Sequence, residues 1–463
     1  MKRRSTLLAL LGTVFLLLLL VACGGNGGES DESTSSEPAS NEPASNEPAS
    51  SEPIGWDGSI NNYQMVVEGF DWGPGVVALI IDLGDESIEP SEIDQDDFAV
   101  SVLRQSMNWA EMTQEEVVEE RALLAVYASD AVGNQVTTSS SFITIELETS
   151  PHAGNPFFFF INDGTMGNMW ANPYVHTITY QEVEFVPERD GYIMPLTDLF
   201  YLDGEFTGTD DVFMQYAYFR PETSGNNPLI VWLHGGGEGS LEETVGTEIA
   251  LLGNRVTQLV APEIQGIMGG AYVLAPQVGT RWLNSGDGGH VDGQSQYEMA
   301  LIELIEAFIA SNSGIDTNRV YIGGGSNGGF MALRVLFSRP DLIAASLPIC
   351  IYFDPDAISD EDINAVADIP MWLIHDINDP TTPFEHSRSL YERLLSAGAT
   401  NVHLTETDGI YDTSEQFFDE TGHPHRYNDH WTWIPVLNNE LETEVDGEII
   451  SIFEWLAMQS RVQ

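Results

Sequence analysis

The chain has 463 residues, with 72 Asp and Glu against 16 Lys and Arg, for a formal net charge of −56 at pH 7. Such a surface repels nucleic acid and anionic lipid headgroups, which excludes both as charge-driven partners. Two cysteines, Cys23 and Cys350, are too few for a disulfide-rich fold, and the length favours two domains over one.

Residues 1–22 have the composition of a secretory signal peptide. Met1–Arg4 is basic, and an apolar run from Leu7 to Val21 follows that is too short to predict a membrane span. The run ends in Leu-Val-Ala-Cys, which resembles the bacterial lipobox whose Cys thiol receives a diacylglycerol. We expect Cys23 to be lipidated and the protein to be held outside the cell on its membrane by lipid alone. An ordinary signal peptide with an incidental Cys is the alternative.

Residues 23–53 form a predicted disordered linker. It is rich in Ser, Glu and Pro, and a unit of the type Glu-Pro-Ala-Ser-Asn repeats from Glu37 to Ser50. Because the segment has almost no apolar side chains to bury, it is expected to act as an extended spacer between membrane and folded domains.

Residues 54–180 alternate short apolar runs with turn residues, without helical periodicity. This pattern predicts an all-β sandwich. The runs include Gln64–Val67, Val76–Ile81, Ala122–Tyr127 and Phe142–Leu147. The segment Phe157–Phe160 could form a sugar-stacking surface, but core or interdomain packing is the simpler interpretation.

Residues 181–463 alternate predicted strands and helices, which indicates a doubly wound, mostly parallel α/β sheet. Leu229–Leu233 is a continuous apolar strand of the buried parallel type. Further strands are predicted at Tyr272–Leu274, Val320–Ile322, Pro370–Ile374 and Val402–Leu404. Helices are predicted around Tyr297–Phe308 and Phe330–Phe337.

The sequence Gly324-Gly325-Ser326-Asn327-Gly328 lies directly between a predicted strand and a predicted helix. A G-x-S-x-G motif in that position is typical of a nucleophile elbow, a sharp turn that exposes the Ser hydroxyl. Gly324 and Gly328 have no Cβ to clash in such a turn. Ser326 is the predicted nucleophile; a Gly-rich turn that merely contains a Ser is the alternative.

The sequence His234-Gly235-Gly236-Gly237 follows the strand at 229–233 and predicts one side of an oxyanion hole. We assign the two donors to the N–H groups of Gly236 and Asn327, with Gly237 as the alternative to Gly236. A phosphate-binding loop is disfavoured because no Lys follows the glycines.

Catalytic triads on this fold run Ser, then acid, then His along the chain. Asp379 follows the strand ending at Ile374 and is the predicted acid, with Asp376 as its rival. His430 is the predicted base, with His423 and His425 as rivals. These three histidines could also form a loose metal cluster, but no carboxylate lies at the spacing that a metal site would need, so no metal is predicted.

Four stretches carry a resemblance to bacterial esterases that join an N-terminal immunoglobulin-like domain to an α/β-hydrolase domain, relatives of polyhydroxybutyrate-depolymerase-like and feruloyl-esterase-like enzymes. They are Pro228–Gly235, Leu274–Gln277 with Arg281-Trp282, Asn318–Gly324 and His430–Trp433. The resemblance implies that the triad falls on Ser326, Asp379 and His430, that short-acyl esters are the substrates, and that the Ig-like domain packs near the active-site side. That family usually has His-Gly where this chain has His375-Asp376, so Asp376 stays open.

These patterns predict a secreted, lipid-anchored serine carboxylesterase that takes small or oligomeric esters and needs no cofactor. A prolyl-oligopeptidase-type peptidase shares the triad order, but the β-rich part is too short for a propeller. A polymer or feruloyl esterase is also open, since Trp282, Trp431 and Trp433 could line an aromatic site. A non-enzymatic surface lipoprotein is disfavoured by the intact motifs. The acidity predicts adaptation to a salty or alkaline exterior, with lineage-wide composition bias as the alternative.

Overall fold

The structure is a computed structural model that describes residues 54–108, 110–111, 113–162, 165–223, 225–239, 246–286 and 293–461, with only the backbone at 54, 158–162 and 165–166. The described residues belong to one compact unit. The predicted signal peptide (1–22), Cys23 and the predicted linker (23–53) lie outside the described residues, as do the side chains of Phe158–Phe160. None of the described helices is both long and apolar enough to span a bilayer.

The N-terminal part is an all-β sandwich. Its strands are β1 (Ile54–Gly55), β2 (Asn62–Phe70), β3 (Gly73–Asp82), β4 (Glu86–Ser87), β5 (Phe98–Asn108), β6 (Thr113–Arg121), β7 (Leu123–Ser129), β8 (Phe142–Leu147), β9 (Phe157–Asn162), β10 (Thr165–Trp170), β11 (Tyr174–Tyr180), β12 (Val183–Phe185) and β13 (Glu188–Ile193). One sheet has the order β12-β11-β5-β6 and the other β13-β2-β3-β8-β7, while β9 and β10 form a separate hairpin.

The sandwich core follows from alternation along the strands. Alternate residues are buried in the first part of β2 (63, 65 and 67) and of β5 (98, 100 and 102), so one face of each strand points inward there. Met65, Leu79, Val102 and Ile145 meet between the sheets with 0% exposure. β13 adds to β2 in parallel, so the sandwich continues past the predicted boundary at residue 180 to about residue 193.

The C-terminal part is built on one eight-stranded sheet. Its strands are β14 (Tyr201–Thr207), β15 (Phe213–Phe219), β16 (Asn227–Leu233), β17 (Tyr272–Gln277), β18 (Ile315–Gly325), β19 (Ala345–Ile349), β20 (Met371–Asp376) and β21 (Val402–Thr407), followed by a small hairpin of β22 (Glu442–Val445) and β23 (Glu448–Ser451). The order is β14-β15-β17-β16-β18-β19-β20-β21, antiparallel at β14 and β15 and parallel beyond.

Helices cover this sheet on both faces. They are α1 (Glu248–Leu252), α2 (Pro262–Met268), α3 (Glu298–Ser311), α4 (Asn327–Ser338), α5 (Asp360–Val366), α6 (Glu385–Ser396), α7 (Trp433–Leu437) and α8 (Ile452–Ala457). Short 3₁₀ turns lie at Pro90–Glu92, Gln95–Asp97, Thr197–Leu199, Thr209–Asp211, Val256–Val260 and Pro355–Ala357. Every residue of β16 is buried because helices pack on both sides of it. The prediction of a β-sandwich followed by a doubly wound α/β domain is confirmed.

The two domains share buried contacts. Ile249 and Leu252 of α1 are nearly inaccessible and pack in the hydrophobic cluster of the sandwich. Nearby, Nη1 of Arg255 lies 2.6 Å from Oδ1 of Asp71 and 2.9 Å from Oδ1 of Asn438, which ties the β2–β3 turn to the end of α7. The interface therefore combines apolar burial with a polar network.

Candidate active site

Ser326 occupies the turn between β18 and α4 with φ +57° and ψ −111°, a backbone conformation that residues other than glycine rarely adopt. Its N–H donates to the carbonyl of Ile349, 2.8 Å away, and its carbonyl accepts from the N–H of Tyr352. These bonds hold the turn against the end of β19. The side chain is partly exposed at the carboxyl edge of the sheet, where doubly wound folds place their ligands.

The glycines of the elbow are required by a close approach of backbone. A Cβ at Gly324 would lie 2.4 Å from the carbonyl oxygen of Leu233, and a Cβ at Gly328 would lie 2.0 Å from the same atom. Any side chain at either position would push α4 away from β16. The motif therefore packs the nucleophile turn directly against the strand that leads into the glycine-rich loop.

Asp379 and His430 are joined by a hydrogen bond of 2.7 Å between Oδ2 of Asp379 and Nδ1 of His430. Asp379 follows β20, and His430 lies three residues before the start of α7. The Asp379 side chain is inaccessible, and that of His430 is 10% exposed. Within the described residues, Oγ of Ser326 makes no hydrogen bond to His430. The elbow and the histidine are instead linked through Trp433, which lies edge-on to the His430 ring and against Gly325.

Further hydrogen bonds hold the Asp379 carboxylate in place. Its Oδ1 accepts from the N–H groups of Thr381 and Thr382 at 2.7 and 2.9 Å, and its Oδ2 accepts from the Thr382 hydroxyl at 2.8 Å. Nε2 of His375 also lies 3.2 Å from Oδ2. The carboxylate therefore has a full set of donors and cannot rotate freely.

These contacts shift both pKa values. Burial alone would raise the pKa of Asp379, but hydrogen bonds from His375 and His430 outweigh it and hold that pKa below its ordinary value. Burial opposes the charged form of His430, but the Cys350 thiol and the Asp379 carboxylate favour it more strongly. The pKa of His430 therefore lies above its ordinary value.

Asp376, the rival acid, has different partners. It is fully buried, and its Oδ2 accepts from the N–H of Gly409 at 2.7 Å and the hydroxyl of Thr407 at 2.8 Å. Its Oδ1 accepts from the N–H of Asn378 at 2.8 Å. These bonds tie the end of β20 to the end of β21, and they leave Asp379 as the carboxylate that contacts His430.

The glycine-rich loop, residues 234–239, begins at His234. This ring is buried against Trp282, and burial lowers its pKa to about 4. Nε2 accepts from the N–H of Val278, so Nδ1 carries the proton and donates to the carbonyl of Gly235 at 2.6 Å. His234 thus orients the peptide between Gly235 and Gly236.

The predicted oxyanion donors have no competing acceptors in the described part of the chain. The N–H groups of Gly236, Gly237 and Asn327 donate to no acceptor there, and Asn327 is the first residue of α4. The side chain of Arg281 lies over Gly236, with Nε 3.4 Å from where a Cβ would stand. The cation therefore lies at one side of the loop.

One described group of side chains could hold a metal ion. Ligand atoms of Cys350, Asp379 and His430 all lie within 4.8 Å of one another. A thiolate, an imidazole and a carboxylate are ligands that Zn²⁺ accepts, but here the Asp379–His430 hydrogen bond already uses two of them. His423 and His425 join no such group among the described residues.

Sequence reasoning missed three contributors to this region. The sequence indicates no role for Cys350 beyond disulfide formation, yet it is fully buried beside His430, with φ +36°. Glu238 lies in the glycine-rich loop and Asn168 in the sandwich, and a side-chain hydrogen bond joins them. An acidic residue inside a Gly-rich segment was the available signal for Glu238, whereas nothing local marked Asn168.

The tryptophans that could line an aromatic substrate site differ in burial. Trp282 and Trp433 are buried, and Trp431 is partly exposed.

The fold is that of an α/β-hydrolase preceded by a β-sandwich. Residues 62–194 match the esterase Ig-like N-terminal domain family, and residues 287–418 match the phospholipase/carboxylesterase family. The chain thus combines an esterase Ig-like domain with a phospholipase/carboxylesterase domain, and it is a carboxylesterase. The predicted pairing of domains is confirmed.

The fold recurs in a solved structure. A thermostable esterase aligns with a TM-score of 0.65 and 23% identity over 87% of this chain and 100% of that one. An esterase from Pyrobaculum calidifontis aligns with a TM-score of 0.34 and 15% identity over 46% of this chain and 76% of its own. An acylaminoacyl peptidase from Pyrococcus horikoshii aligns with a TM-score of 0.36 and 15% identity over 75% of this chain and 62% of its own. No curated protein matches the chain.

Proposed function

We propose that the protein is an exported, lipid-anchored serine carboxylesterase that hydrolyses short-acyl esters through Ser326, His430 and Asp379. The observation that carries the proposal is the 2.7 Å hydrogen bond between Asp379 and Nδ1 of His430, beside a Ser held in a strained strand–helix turn. The resemblance of the motifs to short-acyl esterases supports the substrate class.

In the proposed cycle, His430 accepts the hydroxyl proton of Ser326 as Oγ attacks the ester carbonyl carbon. The N–H groups of Gly236 and Asn327 stabilise the oxyanion. The C–O bond to the alcohol breaks, and the alcohol leaves with the proton from His430. Water then attacks the acyl carbon and gives a proton to His430. The bond between the acyl carbon and Oγ of Ser326 breaks, the acid leaves, and His430 returns the proton to Oγ. Asp379 holds the ring so that Nε2 faces the serine.

The test is hydrolysis of p-nitrophenyl esters of graded acyl length, at high salt, by the wild type and Ser326→Ala. We expect activity to fall with chain length and to be lost in the variant. Activity that survives Ser326→Ala would exclude this nucleophile. A wild type that does not cleave these p-nitrophenyl esters but cleaves peptide amides or polymeric esters would favour the peptidase or the polymer esterase instead.

Localisation needs its own experiment. With Cys23 as lipid acceptor, the wild type is expected in the membrane fraction and labelled by a fatty-acid probe. Cys23→Ser is expected to be unlabelled, and Cys350→Ser serves as the matched cysteine control that keeps the label. Equal labelling of the wild type and Cys23→Ser would overturn the lipid anchor without affecting the esterase proposal.

A further inference from the structure

The hairpin β9–β10 of the Ig-like domain reaches the glycine-rich loop of the hydrolase domain. The N–H of Asn168 donates to the carbonyl of Gly237 at 2.6 Å. The side-chain amide of the same residue donates to Oε1 of Glu238 at 3.0 Å. One residue of the first domain thus holds two consecutive residues of the loop, one through backbone and one through a side chain.

Glu238 connects this contact to the rest of the site. Its carboxylate is buried, and Oε2 accepts from Nδ2 of Asn254 at 3.3 Å. Its carbonyl accepts from Nε2 of Gln277, at the end of β17, at 2.9 Å. Burial raises the pKa of Glu238 to about 7, although the amides of Asn168 and Asn254 lower it. A buried carboxyl needs such donors, because without them its desolvation is uncompensated.

The geometry of the loop shows what these bonds control. A peptide unit is planar, with its C=O and N–H pointing in opposite directions. The bond from His234 to the carbonyl of Gly235 therefore also orients the N–H of Gly236. The bond from the N–H of Asn168 to the carbonyl of Gly237 fixes the peptide between Gly237 and Glu238. Glycines in between would otherwise rotate with little cost, so the loop is held from both sides.

We propose that Asn168 is a positioning residue for the oxyanion hole: through Gly237 and Glu238 it keeps the glycine-rich loop in the conformation that directs the Gly236 N–H at the substrate. The inference rests on the proposed function, since it assumes that Gly236 is an oxyanion donor. The Ig-like domain then contributes to stabilising the transition state, because it holds the loop that carries the Gly236 N–H.

The first experiment compares Asn168→Ala with Asn134→Ala on a p-nitrophenyl ester. Asn134 is a matched control, because its Nδ2 donates to Oδ2 of Asp130 at 2.9 Å in the same domain, at an exposed turn. We expect Asn168→Ala to lower kcat roughly tenfold with KM changed by less than about twofold, since a displaced donor affects the transition state. Asn134→Ala should leave both constants unchanged.

The second experiment reverses the bond. Asn168→Asp places two carboxyl groups against each other and is expected to lower kcat more than Asn168→Ala. Combined with Glu238→Gln, the aspartate regains a donor, and kcat should recover to within about threefold of the wild type. If Asn168→Ala does not fold, the reversed pair decides the question, because recovery of kcat requires the bond itself.

The outcomes separate the two proposals. If Ser326→Ala is inactive while Asn168→Ala keeps a kcat within twofold of the wild type, the positioning role is overturned and the esterase stands. The same holds if the reversed pair remains as impaired as Asn168→Asp alone. If Ser326→Ala retains activity, the proposed function fails first, and the oxyanion-hole assignment fails with it.

Discussion

At the residue scale, two carboxylates three positions apart have separate sets of partners. Asp379 accepts hydrogen bonds from Nδ1 of His430, from the Thr382 hydroxyl and from backbone N–H groups. Asp376 instead accepts bonds that join β20 to β21. A carboxylate that orients a histidine and one that joins two strands should respond differently to the same substitution.

Asp379→Asn is expected to lower kcat by about 10⁴, because an amide cannot hold His430 in the required tautomer. The melting temperature of this variant should stay close to that of the wild type. Asp376→Asn, the matched control, should lower the free energy of unfolding by about 1–3 kcal/mol, since one strand-joining acceptor becomes a donor. Its folded fraction should keep kcat. The measurement is kcat beside thermal melts, and the reverse result would exchange the two roles.

Glu238 is expected to make stability depend on pH. Its folded pKa of about 7 lies above its ordinary value of 4.5. Between these values the unfolded chain loses the proton first, so stability present below pH 4.5 is lost as pH rises through about 7. The loss is on the order of 3 kcal/mol. Relative to Glu238→Gln, the wild type should therefore lose stability across this range.

The measurement is the difference in unfolding free energy between wild type and Glu238→Gln from pH 4.5 to 8. Glu116→Gln, at an exposed position of β6, is the control and should give a flat difference. A flat difference for Glu238→Gln as well would mean that its carboxyl is not destabilised by burial in the folded protein.

At the element scale, the turn between β2 and β3 contacts the segment that leads to His430. Trp72 stacks on Phe70 and lies edge-on to Phe417, with ring centroids 4.5 and 4.6 Å apart. The segment 410–427 closes on itself through a hydrogen bond from the N–H of Tyr427 to the carbonyl of Ile410. The Ig-like domain therefore packs against the loop just before the base.

Trp72→Ala is expected to destabilise this loop by about 2 kcal/mol through lost aromatic contact and burial. Hydrogen exchange of backbone amides in 410–427 should accelerate. Trp56→Ala is the control, because Trp56 contacts Phe98 and Tyr180 inside the sandwich. It should destabilise the sandwich and leave exchange in 410–427 unchanged; equal acceleration in both variants would contradict the local effect.

At the scale of the whole molecule, charge repulsion opposes the compact state. Net charge is −56, and described arginines such as Arg104, Arg334 and Arg339 already pair with acidic side chains. With 72 Asp and Glu against 16 Lys and Arg, most carboxylates cannot each have a cation of their own. The Debye length is about 10 Å at 0.1 M salt and about 3 Å at 1 M, so added salt screens this repulsion.

Molar NaCl is expected to raise the melting temperature by several degrees relative to low salt, as is KCl at the same concentration. Sucrose at equal osmolality is the control for excluded-solute effects, which also stabilise folded proteins. A melting temperature that rises no more with salt than with sucrose would favour composition bias over adaptation to a salty exterior.

Local patterns were sufficient for the fold class and for the elements on either side of the G-x-S-x-G segment. The apolar run 229–233 is buried in β16, and the G-x-S-x-G segment lies between β18 and α4, because periodicity and turn residues act within short windows. The order of acid and base along the chain left two candidates for the acid and three for the base. Whether Ser326, Asp379 and His430 carry out the chemistry is a prediction for the experiments above.

Tertiary structure decided the contacts between residues far apart in the chain. Only the packed fold separates the partners of Asp376 and Asp379, places Cys350 beside His430 and adds β13 to the edge of β2. It also brings Asn168 to Glu238, seventy positions away. Such contacts depend on how whole sheets pack, and no short window of sequence encodes that packing. The composition, by contrast, determined the charge of the molecule before any fold was known, because charge is a sum that does not depend on where residues lie.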